Sequence, residues 1–223
     1  MARTDNNDNQ MIQAMLDGQF NEPLILWGYA HGIFPMGDPE TGRIDWYSPD
    51  PRAIIELNKF HLSRTLRSTL RTGKFHVTLN QSFEKVIRAC SDRASTWITE
   101  RIIECFCQLH QIGYGHSVEV WKGTELAGGL YGVAIGGAFF GESMFHFKPD
   151  ASKVALAGLV QQLRQQDFEL LDIQYVTAHL IRFGACEIPR EEYLHRLSLA
   201  IQKSCRFLRP GQQSVDFTSS DTV

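Results

Sequence analysis

The spacing of apolar and polar residues divides the chain into an interrupted first region and a long regular one. Between Met11 and Phe60, Gly and Pro break up the apolar runs, and three of the chain's eight prolines fall between Pro39 and Pro51. Proline lacks an amide donor and clashes with the preceding helical turn, so long helices are disfavoured around these prolines. We predict a small N-terminal domain over residues 1–60.

From His61 onward the pattern is regular and predicts both helices and strands. Leu62, Leu66 and Leu70 recur every four residues, as on one face of a helix, whereas alternating or short apolar runs indicate strands. The predicted helices span residues 63–72, 82–90, 99–112, 151–166, 177–183 and 190–204. The predicted strands span residues 75–79, 117–121, 126–135, 137–145 and 169–174.

The order of these elements predicts an α+β fold. A turn at residues 122–125 and glycines at 136 and 137 join three successive strands into an antiparallel meander. A helix, a strand and further helices follow, an order also found in GNAT-type acyltransferases. We expect a mixed, largely antiparallel sheet in a GNAT-like catalytic domain over residues 61–209. Residues 210–223 are polar, and we expect a disordered tail there.

Composition and charge narrow the classes of protein. A net charge of −3 argues against a protein dedicated to packaging nucleic acid, although a local basic face remains compatible with it. The polar N-terminus does not resemble a signal peptide, and no apolar run reaches membrane-spanning length. The five cysteines lack paired spacing and indicate reduced thiols. We therefore expect a cytoplasmic protein without membrane contact.

The usual signatures of metal and cofactor sites do not occur in the chain. The eight histidines lack metal-ligand spacing, and neither common glycine-rich phosphate loop occurs. Gly141-Glu142-Ser143 is close to a serine-nucleophile turn, but Phe145 stands where that turn requires glycine. We expect no metal and no cofactor, and we disfavour a serine nucleophile.

Two carboxylates lie in apolar surroundings near predicted strand ends. Glu142 follows two phenylalanines, and Asp172 follows an apolar run, with Gln174 two residues further on. Residues two apart in a strand share a face, so Asp172 and Gln174 could act on one substrate. A carboxylate among apolar residues is usually paired or functional. The alternatives are a solvent-facing Glu142 and a capping or structural hydrogen bond at Asp172.

A basic helix and two tryptophans are candidates for nucleic-acid contacts. Four basic residues fall on one side of the helix predicted over residues 63–72 and its extension: Arg64, Arg67, Arg71 and Lys74. A solvated surface face is the alternative for such a stripe. Trp46 and Trp97 could stack on a base, although most tryptophans belong to a core.

Ten motifs spread over nearly the whole chain carry a family resemblance. They are YAHGIFPM (29–36), WYSPDPRA (46–53), HLSRTLR (61–67), TWIT (96–99), HSVEVW (116–121), GGLYG (128–132), FFGESMF (139–145), ASKVAL (151–156), LDIQ (171–174) and HLIRFGACEIPR (179–190). In this order they resemble the leucyl/phenylalanyl-tRNA–protein transferase family. Individual motifs are weak to moderate, but their shared order is specific.

The resemblance implies a reaction and its partners. Leu or Phe, and less readily Met, would pass from aminoacyl-tRNA to the α-amino group of proteins that begin with Lys or Arg. The product would be marked for N-end-rule degradation, and we expect the enzyme to be a monomer. An aminoacyl ester is already activated, so attack by an amine requires positioning, proton removal and oxyanion stabilisation.

The resemblance also implies roles for residues at matching motif positions. Asp172, Gln174 and Glu142 would line the reaction centre, with Asp172 and Gln174 orienting and helping to deprotonate the acceptor amine. The remaining roles are for tRNA and its aminoacyl group: Trp46 and Trp97 near the 3′-terminal adenosine, the Arg64 helix near the acceptor stem, and Met144 and Phe145 as walls of the side-chain pocket.

The chain departs from the family pattern at two positions. Ile173 stands where the family usually has Cys, which weakens any mechanism that requires that thiol. His146 stands where Ser is usual and could alter the pocket rim. Two rival functions are a Fem-type peptidyltransferase, which usually has two GNAT-like units, and a non-catalytic RNA-binding module.

Overall fold

The structure is a computed structural model that describes residues 2–217, with side chains from residue 7 onward. The helices are α1 (Ala2–Leu16), α2 (Glu22–Ala30), α3 (Arg64–Arg71), α4 (Phe83–Ser91), α5 (Glu100–Gln111), α6 (Ala151–Gln165), α7 (Ala178–Ile181) and α8 (Arg190–Ala200). The strands are β1 (Phe34–Gly37), β2 (Ile44–Tyr47), β3 (Arg52–Ile55), β4 (His76–Leu79), β5 (Gly115–Lys122), β6 (Glu125–Ile135), β7 (Ala138–His146), β8 (Leu170–Gln174), β9 (Ala185–Ile188) and β10 (Ser214–Val215).

A mixed sheet forms the centre of the molecule. Its eight strands lie in the order β10-β4-β5-β6-β7-β8-β3-β9, while β1 and β2 form a separate hairpin. Every neighbouring pair in the large sheet is antiparallel except β7 and β8. These two run parallel, and α6 provides the long crossover that a parallel connection requires. The predicted α+β class with a largely antiparallel sheet is confirmed.

Helices cover both faces of the sheet and create two apolar cores. On one face, buried residues of α6 pack with Leu66 of α3 and with strand residues such as Val118. On the other face, α2, α4, α5 and α8 pack against residues such as Tyr131 and Phe140. α6 is almost entirely buried, and its small and apolar residues allow close contact with the strands. Ser63 caps α3 by accepting a hydrogen bond from the Leu66 amide.

The first region contributes a strand to the large sheet. Residues 52–55 fall inside the N-terminal domain predicted over 1–60, yet β3 lies between β8 and β9 in the large sheet. All four residues of β3 are buried, so the strand lacks the polar alternation by which half-buried strands are recognised. α7 is shorter than the helix predicted over 177–183, because the chain turns at Gly184 into β9.

The C-terminal segment also differs from the expected disordered tail as far as residue 217. β10 pairs with β4, and Val215 is buried. The Gln161 side chain donates to the Asp216 carbonyl at 2.8 Å, and the Gln212 side chain donates to that of Gln162 at 2.6 Å. Amides on the buried helix α6 therefore hold a polar segment whose composition suggests disorder. Residues 218–223 lie outside the described part of the chain.

Candidate functional site

A cavity of about 330 Å³ lies where β7 and β8 separate. The two strands pair only between residues 138–140 and 170–172, and beyond that point their carboxyl ends diverge. Such an end of a parallel strand pair is a common ligand site in open sheets. Apolar residues form most of the wall: Phe34, Met36, Leu130, Met144, Leu156, Leu159, Leu171, Ile173 and Leu180. Glu142 is the only acidic residue among the described residues that line it.

Irregular pairing lies beside the cavity in both strands. In β7, Ser143 pairs with Tyr131 and Gly141 pairs with Gly132, so Glu142 is an extra residue without a partner. In β8, Asp172 and Gln174 oppose adjacent residues of β3, so Ile173 is likewise extra. β-Bulges redirect side chains and are common next to active sites. At both irregularities the extra residue, Glu142 in β7 and Ile173 in β8, lines the cavity.

The Glu142 carboxyl group has an unusual electrostatic environment. It accepts a hydrogen bond from the Gln174 side chain at 3.2 Å. Burial raises the pKa of Glu142 to about 8; the charge on Asp172 also raises it, whereas the Tyr29 hydroxyl and Arg52 lower it. A carboxyl group with a pKa near neutrality can take up and release a proton at working pH, which general acid–base catalysis requires.

Two buried tyrosines stand next to Glu142. Within residues 7–217, the hydroxyls of Tyr29 and Tyr131 have no hydrogen-bond partner of normal geometry. Burial, followed by the charge of Glu142, raises the pKa of both tyrosines well above the usual value, so both are neutral. The Tyr29 hydroxyl lies near Glu142 and lowers its pKa. Neutral hydroxyls can donate hydrogen bonds and would favour an ionised carboxylate over a protonated one.

Asp172 is enclosed and does not line the cavity. Arg52 donates to both of its oxygens at 2.9 and 2.6 Å, and the Tyr193 hydroxyl donates to it at 2.7 Å. The side chains of Asp172 and Arg52 are 0% and 1% exposed. The backbone amide of Gln174 also donates to the Asp172 carboxylate, at 2.9 Å. An Asp172 carboxylate that touches the acceptor amine was expected from the sequence; in the structure its oxygens are already occupied.

Asp172 instead fixes the residue that does reach the cavity. Gln174 has a φ of +58°, a left-handed conformation that is uncommon outside glycine. Its amide hydrogen bond to Asp172 holds this conformation, and its side chain extends to Glu142. The Asp172–Arg52 ion pair therefore positions Gln174, and Gln174 in turn contacts Glu142.

The remaining predicted aromatic and apolar residues divide into two groups. Trp97 and Met144 line the cavity. Trp46 does not; its ring packs against Gly28 and lies 6.0 Å from the ring of Phe20. Phe145 is also absent from the cavity wall, because it is buried in the core on the α4 and α5 face of the sheet.

The predicted basic residues are exposed, but they do not all belong to one helix. Arg64, Arg67 and Arg71 lie on α3, which packs against α6 through Leu66. The helix ends at Arg71, and Gly73 then adopts a φ of +63°. Lys74 consequently follows a turn, and its ammonium lies 5.0 Å from the Phe75 ring centre. The two residues that depart from the family pattern lie in different surroundings: Ile173 is part of the cavity wall, whereas His146 is exposed.

Several cavity residues are absent from the sequence-based prediction. They are Phe34, Met36, Arg93, Tyr131, Tyr175 and His179. Arg93 donates to the Ser143 hydroxyl at 3.2 Å and to the Met144 carbonyl, linking the segment before α5 to β7. Phe34, Met36 and Tyr131 lie within the motifs YAHGIFPM and GGLYG, so their position in these motifs could have identified them as candidate site residues.

Two further properties concern the described part of the chain as a whole. No cluster of three or more His, Cys, Asp or Glu side chains there is arranged to hold a metal ion. None of its helices has the length and apolarity needed to cross a bilayer.

Comparison with known proteins gives consistent matches along the chain. The family model described as leucyl/phenylalanyl-tRNA protein transferase matches residues 54–198, and the model of that family's N-terminal domain matches residues 18–50. A solved structure, the C-terminal domain of a putative lysylphosphatidylglycerol synthetase from Agrobacterium fabrum, covers 71% of this chain and 53% of its own. Its TM-score of 0.36 and 15% identity are too low to support an argument.

Curated relatives are similar over most of their own length. Leucyl/phenylalanyl-tRNA–protein transferase from Gloeobacter violaceus is 52% identical over 184 residues, which cover 82% of this chain and 95% of that protein. The protein of the same name from Chlorobaculum parvum is 53% identical over 188 residues, covering 82% and 97%. The chain is a transferase and belongs to the leucyl/phenylalanyl-tRNA–protein transferase family.

Proposed function

We propose that this protein transfers Leu or Phe, and less readily Met, from aminoacyl-tRNA to the α-amino group of proteins that begin with Lys or Arg. The reaction centre would be the cavity between β7 and β8. One observation carries this proposal: an apolar cavity, open between two diverging strands, has a single carboxyl group with a pKa near 8 in its wall. An RNA-binding module would have no use for such a group.

The cavity wall suits the donor's side chain. Leu130, Met144 and Ile173 offer apolar surface without charge, and methionine adapts to ligands of different shape. Pockets of this kind discriminate by about 1–3 kcal/mol for each methylene group. Acceptance of both Leu and Phe is consistent with that limited discrimination, whereas the weaker use of Met rests on the family resemblance.

The polar residues suit attack by an amine on an ester. Glu142, once ionised, takes a proton from the attacking amine as the new C–N bond forms, and returns that proton to the 3′-oxygen of the tRNA as the C–O ester bond breaks. Gln174 presents its amide beside Glu142 and can orient the amine or donate to the developing oxyanion. Asp172 acts through the Gln174 backbone and Arg52, without touching the reactants.

The remaining parts of the proposal rest on the family resemblance. They are the preference for acceptors with N-terminal Lys or Arg, the N-end-rule fate of the product, a cytoplasmic location and a monomeric state. We also place the boundary of the small N-terminal domain before β3, since β3 pairs with strands on both sides in the large sheet.

The test combines labelled Phe-tRNA with peptides that differ only in their first residue. Label on peptides that begin with Lys or Arg, and on no others, supports the reaction and its acceptor preference together. Glu142→Gln is the matched variant, because it keeps size and hydrogen bonding but cannot accept the proton. We expect it to bind Phe-tRNA and to lose transfer by about 10²–10⁴-fold. Full transfer in this variant would remove Glu142 from the chemistry.

A further inference from the structure

The cavity offers little negative charge with which to select an acceptor that begins with Lys or Arg. Glu142 is the only acidic residue among the described residues of its wall. With a pKa of about 8, this carboxyl group is mostly uncharged at pH 7, and the proposed chemistry already uses it. Asp172 is enclosed by Arg52, Tyr193 and the Gln174 amide. The cationic side chain of the acceptor therefore requires another kind of partner at this site.

Three aromatic rings form a continuous surface at one side of the cavity, which we call the aromatic mouth: Phe34, Tyr47 and Tyr175. Phe34 and Tyr47 are opposite residues on β1 and β2, and their rings stack with centres 6.0 Å apart. The Tyr175 ring meets the Phe34 ring edge-on at 5.8 Å. Phe34 is buried in the cavity wall, whereas Tyr47 and Tyr175 are 38% and 46% exposed. Both tyrosines thus leave aromatic surface open beside the cavity.

Tyr175 stands next to the residues that the acceptor amine has to reach. It follows Gln174, whose side chain donates to Glu142 at 3.2 Å. The Tyr175 amide donates to the Ile173 carbonyl at 2.6 Å, which closes a three-residue turn around Gln174 and fixes where Tyr175 leaves β8. Successive Cα atoms lie about 3.8 Å apart, so a long side chain on an acceptor whose amine lies at Gln174 can reach the Tyr175 ring.

Aromatic faces attract cations, because the ring quadrupole places negative charge above and below the ring plane. The protein already uses this contact in its interior: the Arg52 guanidinium lies 4.7 Å from the Phe34 ring centre and 4.6 Å from that of Tyr193. Within residues 7–217, no Lys or Arg side chain lies over the ring of Tyr47 or Tyr175. These two rings are therefore available for a cation from outside the chain.

We propose that Tyr175 and Tyr47 bind the cationic side chain of the acceptor's first residue and so determine the preference for Lys or Arg. This inference rests on the proposed function and adds the residues that recognise the acceptor. A ring face attracts an ammonium and a guanidinium alike, which accounts for the use of both. Stacking of the same rings on a base of the tRNA is the alternative, although Trp97 in the cavity wall is the expected partner of the 3′-terminal adenosine.

The experiment measures how much a positive charge on the acceptor improves transfer from Phe-tRNA. Two peptides differ only in their first residue, which is Arg or citrulline; citrulline carries a neutral urea group in place of the guanidinium. In Tyr175→Leu, the ratio of kcat/KM on the Arg peptide to kcat/KM on the citrulline peptide should fall about two- to fivefold. Adding Tyr47→Leu should bring the fall to about five- to thirtyfold, whereas Tyr175→Phe keeps the ring face and should keep most of the ratio.

Tyr114→Leu is the matched control, because Tyr114 is 38% exposed, lies between α5 and β5, and is absent from the cavity wall. It should leave the ratio as in the unmodified protein. Each ratio comes from one enzyme preparation, so a loss of folded enzyme cancels. A ratio in Tyr175→Leu no different from the control would overturn the inference, and an unaltered ratio with a higher KM for Phe-tRNA would assign the rings to base stacking instead. Absence of transfer to the Arg peptide by the unmodified protein would contradict the proposed function itself.

Discussion

The raised pKa of Glu142 makes the pH dependence of transfer a sharp test of the site. With a pKa of about 8, roughly one tenth of Glu142 is ionised at pH 7 and nine tenths at pH 9. Transfer that needs the carboxylate should therefore rise about tenfold across this range from this group alone. The acceptor's α-amino group loses its proton at about 7.7–8.0, so the two titrations overlap in the unmodified enzyme.

Tyr29→Phe separates the two titrations. The Tyr29 hydroxyl favours the ionised form of Glu142, so its removal should raise the pKa of the carboxyl group above about 8. A hydrogen bond to a charged group contributes about 1.5–3 kcal/mol, and one pKa unit equals 1.36 kcal/mol. Because the Tyr29 hydroxyl lies outside normal hydrogen-bond geometry, the lower end of this range is an upper bound, at most about one pKa unit. Transfer should fall by up to about tenfold at pH 7, and the loss should shrink above pH 9.

The measurement is kcat/KM for Phe-tRNA and an Arg-initiated peptide between pH 6.5 and 9.5, at constant ionic strength and corrected for spontaneous ester hydrolysis. Tyr193→Phe is a matched control, since it removes a buried hydroxyl that donates to Asp172. Its effect on rate should be similar at every pH. If the midpoint of the pH profile of kcat/KM is unchanged in Tyr29→Phe, with or without a lower rate, the link between Tyr29 and the ionisation of Glu142 is refuted.

Three further changes test other parts of the structure. Asp172→Asn leaves Arg52 buried without its counter-charge, so urea unfolding should report a loss of about 3–5 kcal/mol along with lost transfer; unchanged stability would contradict the role of the ion pair. Ile173→Ala shortens a side chain of the wall and so enlarges the cavity. The ratio of kcat/KM for Phe-tRNA to kcat/KM for Leu-tRNA should then rise, by a factor equivalent to at most about 3 kcal/mol; a constant ratio would exclude Ile173 from the side-chain pocket. Deleting residues 210–223 removes β10 and the contact with Gln161, and calorimetry should show a melting temperature lower by roughly 2–4 °C for each kcal/mol lost; an unaltered melt would mean that this segment adds no stability.

Local signals in the sequence were sufficient for most of the secondary structure after residue 61. The helix predicted over 63–72 corresponds to α3 because apolar spacing, a capping serine and a terminating glycine act within a few residues. The three central strands were recognisable from short apolar runs and the turns between them. The shared order of the ten motifs was sufficient to identify the family. From motif position we expected Glu142 and Gln174 at the reaction centre, Met144 in the side-chain pocket and Trp97 near the 3′-terminal adenosine; in the structure all four line one cavity.

Contacts between residues far apart in the chain decided the rest. Arg52 and Asp172 are separated by 120 positions, and only the pairing of β3 with β8 brings them together, which encloses a carboxylate that we expected at the reaction centre. The unpaired position of Glu142 follows from its register against β6, which periodicity within β7 cannot reveal. The packing of Trp46 against Gly28, outside the cavity wall, likewise could not be read from the sequence. Sequence patterns report which residues can be buried, whereas register and packing determine which buried groups meet.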